Sequence, residues 1–134
     1  MYLCSMKQLK ATKIGFATLI LVLTGCYSLP ERDCAAYRTG SFEFVSVVEG
    51  DTLRSTFERF ADYEIDFYEG KTDTSSVKWI NDCEFVLRNQ HPKSISEQQA
   101  VHIKILSTDE EGYSFEYGVL KDTKRLKGYA RALK

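Results

Sequence analysis

Along most of the chain the apolar positions recur at every second residue. Phe42 and Phe44 alternate with Ser41 and Glu43, Tyr63, Ile65 and Phe67 alternate with Glu64 and Asp66, and Val77 and Trp79 flank Lys78. Cys83, Phe85 and Leu87 interleave with Glu84 and Val86; Val101, Ile103 and Ile105 flank His102 and Lys104; Tyr113, Phe115 and Tyr117 flank Ser114 and Glu116. Successive side chains of a β-strand point to opposite faces, so this period marks strands with one face on a core and one in water. The pattern predicts eight strands, near residues 40–48, 52–60, 63–69, 75–80, 83–88, 101–107, 113–120 and 125–133. In the third, Tyr63, Ile65 and Phe67 are expected inside, leaving Glu64 and Asp66 on a solvated face.

Residues that favour reversals fall between these runs: Glu49-Gly50-Asp51, Ala61-Asp62, Gly70 to Thr74, Asn81-Asp82, Asp109 to Gly112 and Lys121 to Thr123. Connections this short join antiparallel neighbours in chain order, a meander. Only Asn89 to Ala100 is a longer link, where Ser94 and Glu97 have the spacing to cap one helical turn. Eight antiparallel strands must hide two edges, and closure removes them. The expected fold class is therefore all-β: an up-and-down antiparallel barrel of about eight strands, closed or nearly closed. Fifteen of the 17 aromatic residues lie beyond residue 25, a large ring area for so small a core. A barrel of eight strands is either filled by side chains or holds one small ligand. Phe42, Phe67, Trp79 and Phe115 are the residues expected to line such a space.

The first 30 residues differ from the rest. They contain Lys7, Lys10 and Lys13 and no acid, then the apolar run Ile14 to Leu23, which has the layout of a secretory leader. Ten apolar residues are too few to span the roughly 30 Å of a hydrocarbon core as a helix. Leu23-Thr24-Gly25-Cys26 follows, small residues before a cut and a thiol after it. This tetrad resembles the lipobox of bacterial lipoproteins, which implies acylation of Cys26 and cleavage before it. The expected organisation is a signal peptide over residues 1–25, whose start is Met1 or Met6, a lipidated tether over 26–37 and the β domain over 38–134. Beyond residue 25 the chain holds 15 basic and 19 acidic residues, a net of −4 that gives no support to nucleic-acid binding.

With Cys26 acylated, Cys34 and Cys83 are the remaining thiols of the exported chain and are expected to pair, since disulfides persist outside the cytosol. Together with His91 and His102 they lack the close paired spacing of a zinc site, so no metal and no cofactor is expected. No nucleophile elbow or phosphate loop occurs, the many carboxylates could supply an acid–base pair only as any acidic sheet would, and the chain is not expected to be an enzyme.

The stretch DYEIDFYEGKTDTSSVKWINDCEFVL, with TGSFEF before it and GYSFEYG after it, resembles a group of small bacterial lipoproteins, some of which carry the label DNA topoisomerase IV. A type II topoisomerase needs an ATPase module, a carboxylate cluster for metal and a DNA-cleaving tyrosine domain, which the 109 residues beyond residue 25, with their net charge of −4, do not accommodate. Thr39-Gly40-Ser41-Phe42 is similar to the opening of lipocalin-like barrels, with Phe42 where that pattern has tryptophan. The expected role is a non-enzymatic interaction or scaffold module with an envelope protein as partner. It would be anchored through its N-terminal lipid to a membrane, the outer one and facing the periplasm. The alternative is a carrier that binds a small apolar ligand inside a lipocalin-like barrel.

Overall fold

Two Glu-Gly pairs set the register of the first four strands. Glu49 and Gly50 have φ of 53° and 86°, and Glu69 and Gly70 have φ of 48° and 73°. Positive φ at both central residues is the turn whose twist matches a two-residue hairpin. In the computed structural model, which describes residues 32–134, these turns join β1 (Gly40–Val48) to β2 (Asp51–Arg59) and β3 (Tyr63–Tyr68) to β4 (Lys71–Asn81). The chain continues through β5 (Glu84–Asn89), β6 (Val101–Thr108), β7 (Gly112–Val119) and β8 (Leu126–Ala132). Every strand pairs antiparallel with the next, and β8 returns to β1 from Phe42 opposite Ala132 to Val45 opposite Tyr129. The result is a closed up-and-down barrel of eight strands. The leader, Met6 and Cys26 lie outside the described residues.

Two boundaries differ from expectation. Lys71 to Thr74 do not turn the chain but extend β4, opposite Tyr68 to Ile65, because Glu69-Gly70 alone completes the reversal. The folded part also begins before residue 38. Cys34–Tyr37 forms a 3-10 turn laid across one end of the barrel, held by the Cys34–Cys83 disulfide with a Cα–Cα distance of 5.3 Å. Asp33 N–H donates to Thr108 Oγ1 at 2.7 Å, and the Tyr37 hydroxyl donates to the Asp109 carbonyl. In the long link, Ser94 Oγ accepts from Glu97 N–H at 3.3 Å, and a single 3-10 turn covers Ser96–Gln98.

The two ends of the barrel are unlike. At the end covered by the 3-10 turn, the inward row consists of Phe42, Arg59, Glu64, Phe85, Ile105 and Tyr113, all buried. The Phe42 ring stacks on Phe57 at 5.1 Å and meets Tyr113 edge-on at 5.6 Å, and the Tyr37 ring closes over Tyr113 at 5.4 Å. At the opposite end, register continues the inward rows to Leu53, Tyr68 and Leu126, yet these are 41%, 44% and 38% exposed. The two ends therefore differ: one is plugged, and the other has a part-exposed apolar rim that forms a mouth. On the outer face Glu43 receives Arg131 at 2.5 Å and Arg54 at 3.4 Å, tying β8, β1 and β2 together with pairs whose exposure keeps each worth below about 1 kcal/mol.

Candidate functional site

Residues 55, 57 and 59 share the inner face of β2, so the strand that supplies Phe57 to the core also carries Arg59 into it. A guanidinium with 2% exposure demands a counter-charge, because an unpaired charge in a low-dielectric interior costs several kcal/mol. The register of β2 with β3 sets Glu64 directly opposite Arg59, and Arg59 Nε donates to Glu64 Oε2 at 2.6 Å. Its Nη1 donates to the Tyr37 carbonyl at 3.1 Å and its Nη2 to the Tyr113 hydroxyl at 2.8 Å. The rings of Phe85, Phe57, Phe42 and Tyr113 lie 4.4, 5.1, 5.4 and 5.8 Å from its central carbon. The arginine is thus the polar axis of the plugged end.

This pairing inverts the expected facing of β3. Glu64 is 3% exposed and inside, whereas Tyr63 and Phe67 are 37% and 42% exposed and outside, where Tyr63 stacks on Phe60 at 4.5 Å. Strand periodicity fixes alternation but not which parity faces inward, and here the carboxylate follows the arginine. Asp66, two residues further along the same face, sits opposite Phe57 and Asp73.

Above the plug the inner rows leave a cavity of about 160 Å³. Its apolar wall is made chiefly by Phe44, Phe57, Leu87, Phe115 and Tyr117, and its polar atoms come from Arg59, Glu64, Asp66 and Ser55. A second space of about 310 Å³ lies under the 90–100 link and shares Asp66, Leu87 and Val101 with the first, so the two adjoin. Glycine permits this arrangement at one point: a Cβ on Gly128 would come within 2.4 Å of the Phe44 ring and 3.1 Å of Phe115.

Of the four residues expected to line a ligand space, Phe115 does so. Phe67 is on the outer surface, by the inversion just described. Phe42 and Trp79 belong to the packing of the plugged end instead, Phe42 among Phe57 and Tyr113, and Trp79 against Phe85 at 4.5 Å with Arg38 4.7 Å over its ring. His91 is exposed in the long link, and His102 lies on the outer face with Nε2 3.9 Å from Glu84. Sequence reading missed Arg59, Glu64 and Asp66. The available signal was the phase of Phe57 and Arg59, which puts a cation on a core face and calls for an acid on the neighbouring strand.

The carboxylates of the cavity feel their burial. Desolvation pushes Asp66 up to about 7, reinforced by the charges of Glu64 and Asp73 and opposed by Arg59. Glu64 is also raised by burial, with Arg59 pulling the other way. Burial raises the Tyr113 hydroxyl to about 12, so it stays a neutral partner to Arg59. The site can therefore enclose a small body among rings and present a carboxyl that changes charge near neutrality. No family model matches the chain, and comparison with curated proteins and with solved structures likewise found no match.

Proposed function

We propose that this chain is a lipid-anchored lipoprotein of the bacterial envelope whose barrel is a receptacle for a small molecule. The observation that carries the reading is the asymmetry of the barrel. One end is sealed by a disulfide, a 3-10 turn and a ring-wrapped ion pair, while toward the other, whose rim of Leu53, Tyr68 and Leu126 is part-exposed, lies a cavity of about 160 Å³ that adjoins the space under the 90–100 link. A barrel serving only as a spacer has no use for a mouth, and filling the interior would have stabilised it further. An apolar cavity of about 150 Å³ is large enough to hold one benzene-sized body.

The chain enters the barrel at its sealed end, through Cys34. A tether acylated at Cys26 would hold that end toward the bilayer and point the mouth away from it. Several acyl chains make such attachment durable, whereas one is marginal. Two measurements test the reading. Labelling with a palmitate analogue should mark the wild type and not Cys26→Ala; retention of label by the variant would sink the anchor. Native mass spectrometry of the chain extracted from envelopes should show a bound species of small mass, and a uniformly empty barrel would sink the receptacle.

A second reading, an interaction module for an envelope protein, is favoured by the apolar side chains around the same end. Val47, Ile95 and Leu120 are 68%, 80% and 40% exposed near the mouth. The two readings part on what Val47→Asp with Ile95→Asp changes: loss of a co-purifying protein favours the module, loss of the small species the receptacle.

A further inference from the structure

The wall of the cavity has a sign. Arg59 is its only base, and the guanidinium is already committed to Glu64, the Tyr37 carbonyl and the Tyr113 hydroxyl, with rings over its faces. It has little left for an anion. Asp66 is placed differently. It borders both the inner cavity and the outer space, and burial and neighbouring charge act on it without a hydrogen bond to relieve them. Every side-chain oxygen or nitrogen sealed from solvent among the described residues has a partner, so the unbonded oxygens of Asp66 face open space. The outer space adds Asp73 and Glu97 to Asp66, beside Ser75, Asn89 and Gln99, and includes no base. A solute entering by this route meets only negative charge until it reaches the rings.

We propose that the cavity takes a small organic cation, an ammonium group on an apolar body about the size of one six-membered ring. The ammonium pairs with Asp66, and the body lies among Phe57, Leu87, Phe115 and Tyr117. Aromatic faces attract cations when water is excluded, so the walls and the carboxylate favour the same sign. This assignment rests on the reading of the barrel as a small-molecule receptacle and names its ligand class.

Only the ionised Asp66 can pair, so affinity should follow its titration. The groups facing it are Arg59 from β2, Glu64 on its own strand, Asp73 from β4, Tyr113 from β7 and Glu97 from the long link. With the carboxyl near 7, the ionised fraction, and with it the apparent affinity for an ammonium, should rise roughly 30-fold from pH 5.5 to 8.

The test is a titration of the ¹⁵N-labelled full chain in non-ionic detergent at pH 8, followed by amide shifts. The probes are benzylamine, benzyl alcohol and benzoate, one ring with three charges. Benzylamine should bind at least about tenfold more tightly than benzyl alcohol, and benzoate most weakly, by the Coulombic preference of a desolvated carboxylate. Asp66→Asn should remove the preference for the amine and leave benzyl alcohol binding in place, which also reports an intact cavity. Equal binding of amine and alcohol, or a preference for benzoate, would overturn the assigned sign while the receptacle stands. No shift with any probe would overturn both.

Discussion

Replacing Asp66 by asparagine should stabilise the barrel at neutral pH and flatten its pH dependence. In the folded chain the carboxyl is pushed from 3.8 to about 7, chiefly by desolvation and then by the charges of Glu64 and Asp73. A carboxyl raised in the folded state binds more protons there than in the unfolded chain. Stability from this residue is therefore fully present below about pH 4 and is lost as pH rises through about 7. The gap between 3.8 and about 7, at 1.36 kcal/mol per pH unit, sets a ceiling of about 4 kcal/mol. Access of water through the mouth reduces it, and about 2–3 kcal/mol is the expected size. About 60% of that loss falls between pH 5 and pH 8, so with a urea dependence of about 1–3 kcal/mol per molar the wild-type midpoint should fall by about 0.5–1.5 M over that window. Asp66→Asn, which keeps the shape and cannot ionise, should shift its midpoint much less over that window and exceed the wild type at pH 8. Glu64, also raised by burial, contributes in the same direction and leaves a residual slope in the variant. Parallel pH profiles for the two proteins, or a wild-type midpoint that rises from pH 5 to pH 8, would refute the placement of Asp66 in the cavity wall.

Glu64→Gln leaves Arg59 buried without its counter-charge and should cost about 3–5 kcal/mol, whereas Arg59→Met with Glu64→Leu should recover most of that loss, a difference read from a double-mutant cycle of urea midpoints. Gly112→Ala would set a Cβ 2.0 Å from the carbonyl oxygen of Ala130, a backbone atom that cannot swing aside, so the β7–β8 pairing should loosen and Tm fall by at least about 10 °C in a thermal melt. Reducing Cys34–Cys83 opens a link between residues 49 apart in sequence, worth about 4 kcal/mol in the chain-entropy account, and should lower Tm by about 15–25 °C in a melt with and without reductant.

The strands were legible because a barrel rewards strict alternation: seven of the eight keep the parity that their aromatic and aliphatic residues dictate. Phe42 with Phe44, Phe85 with Leu87, and Phe115 with Tyr117 all face inward, as does the small row of Gly128 and Ala130 on β8. β3 is the exception, and it is the strand that builds the site. Tyr63, Ile65 and Phe67 outweigh Glu64 and Asp66 on any hydropathy count, yet the acids go inside. Hydropathy scores each strand alone, whereas burial of a charge is decided by its partner on the next one. Arg59 sits in phase with Phe57, and the three-residue connection from Phe60 to Asp62 fixes Glu64 against it. The cavity was legible only as the alternative to a filled barrel, and of its walls only Phe115 was named. Its size depends on how rings tilt past one another, as where Phe44 and Phe115 share the space that Gly128 leaves open.

The same inversion explains why a domain this small can keep a space inside it. A barrel of this length has little apolar area to spare, and an unfilled interior forfeits packing that its lining would otherwise gain. The compensation is gathered at one end. There the disulfide, the 3-10 turn and the stack of Tyr37, Tyr113, Phe42 and Phe57 surround an arginine whose three hydrogen bonds join β2, β3, β7 and the entering chain. A buried ion pair is weak evidence for stability by itself, because desolvation can consume its Coulombic gain. Its value here is geometric: the guanidinium holds four segments in one arrangement and draws the acidic face of β3 inward. Once Glu64 is bound to it, the pitch of the strand carries Asp66 to the next inward position, beyond the reach of those hydrogen bonds and at the junction of the two spaces. The carboxyl that titrates near neutrality is therefore a consequence of how the closed end is built.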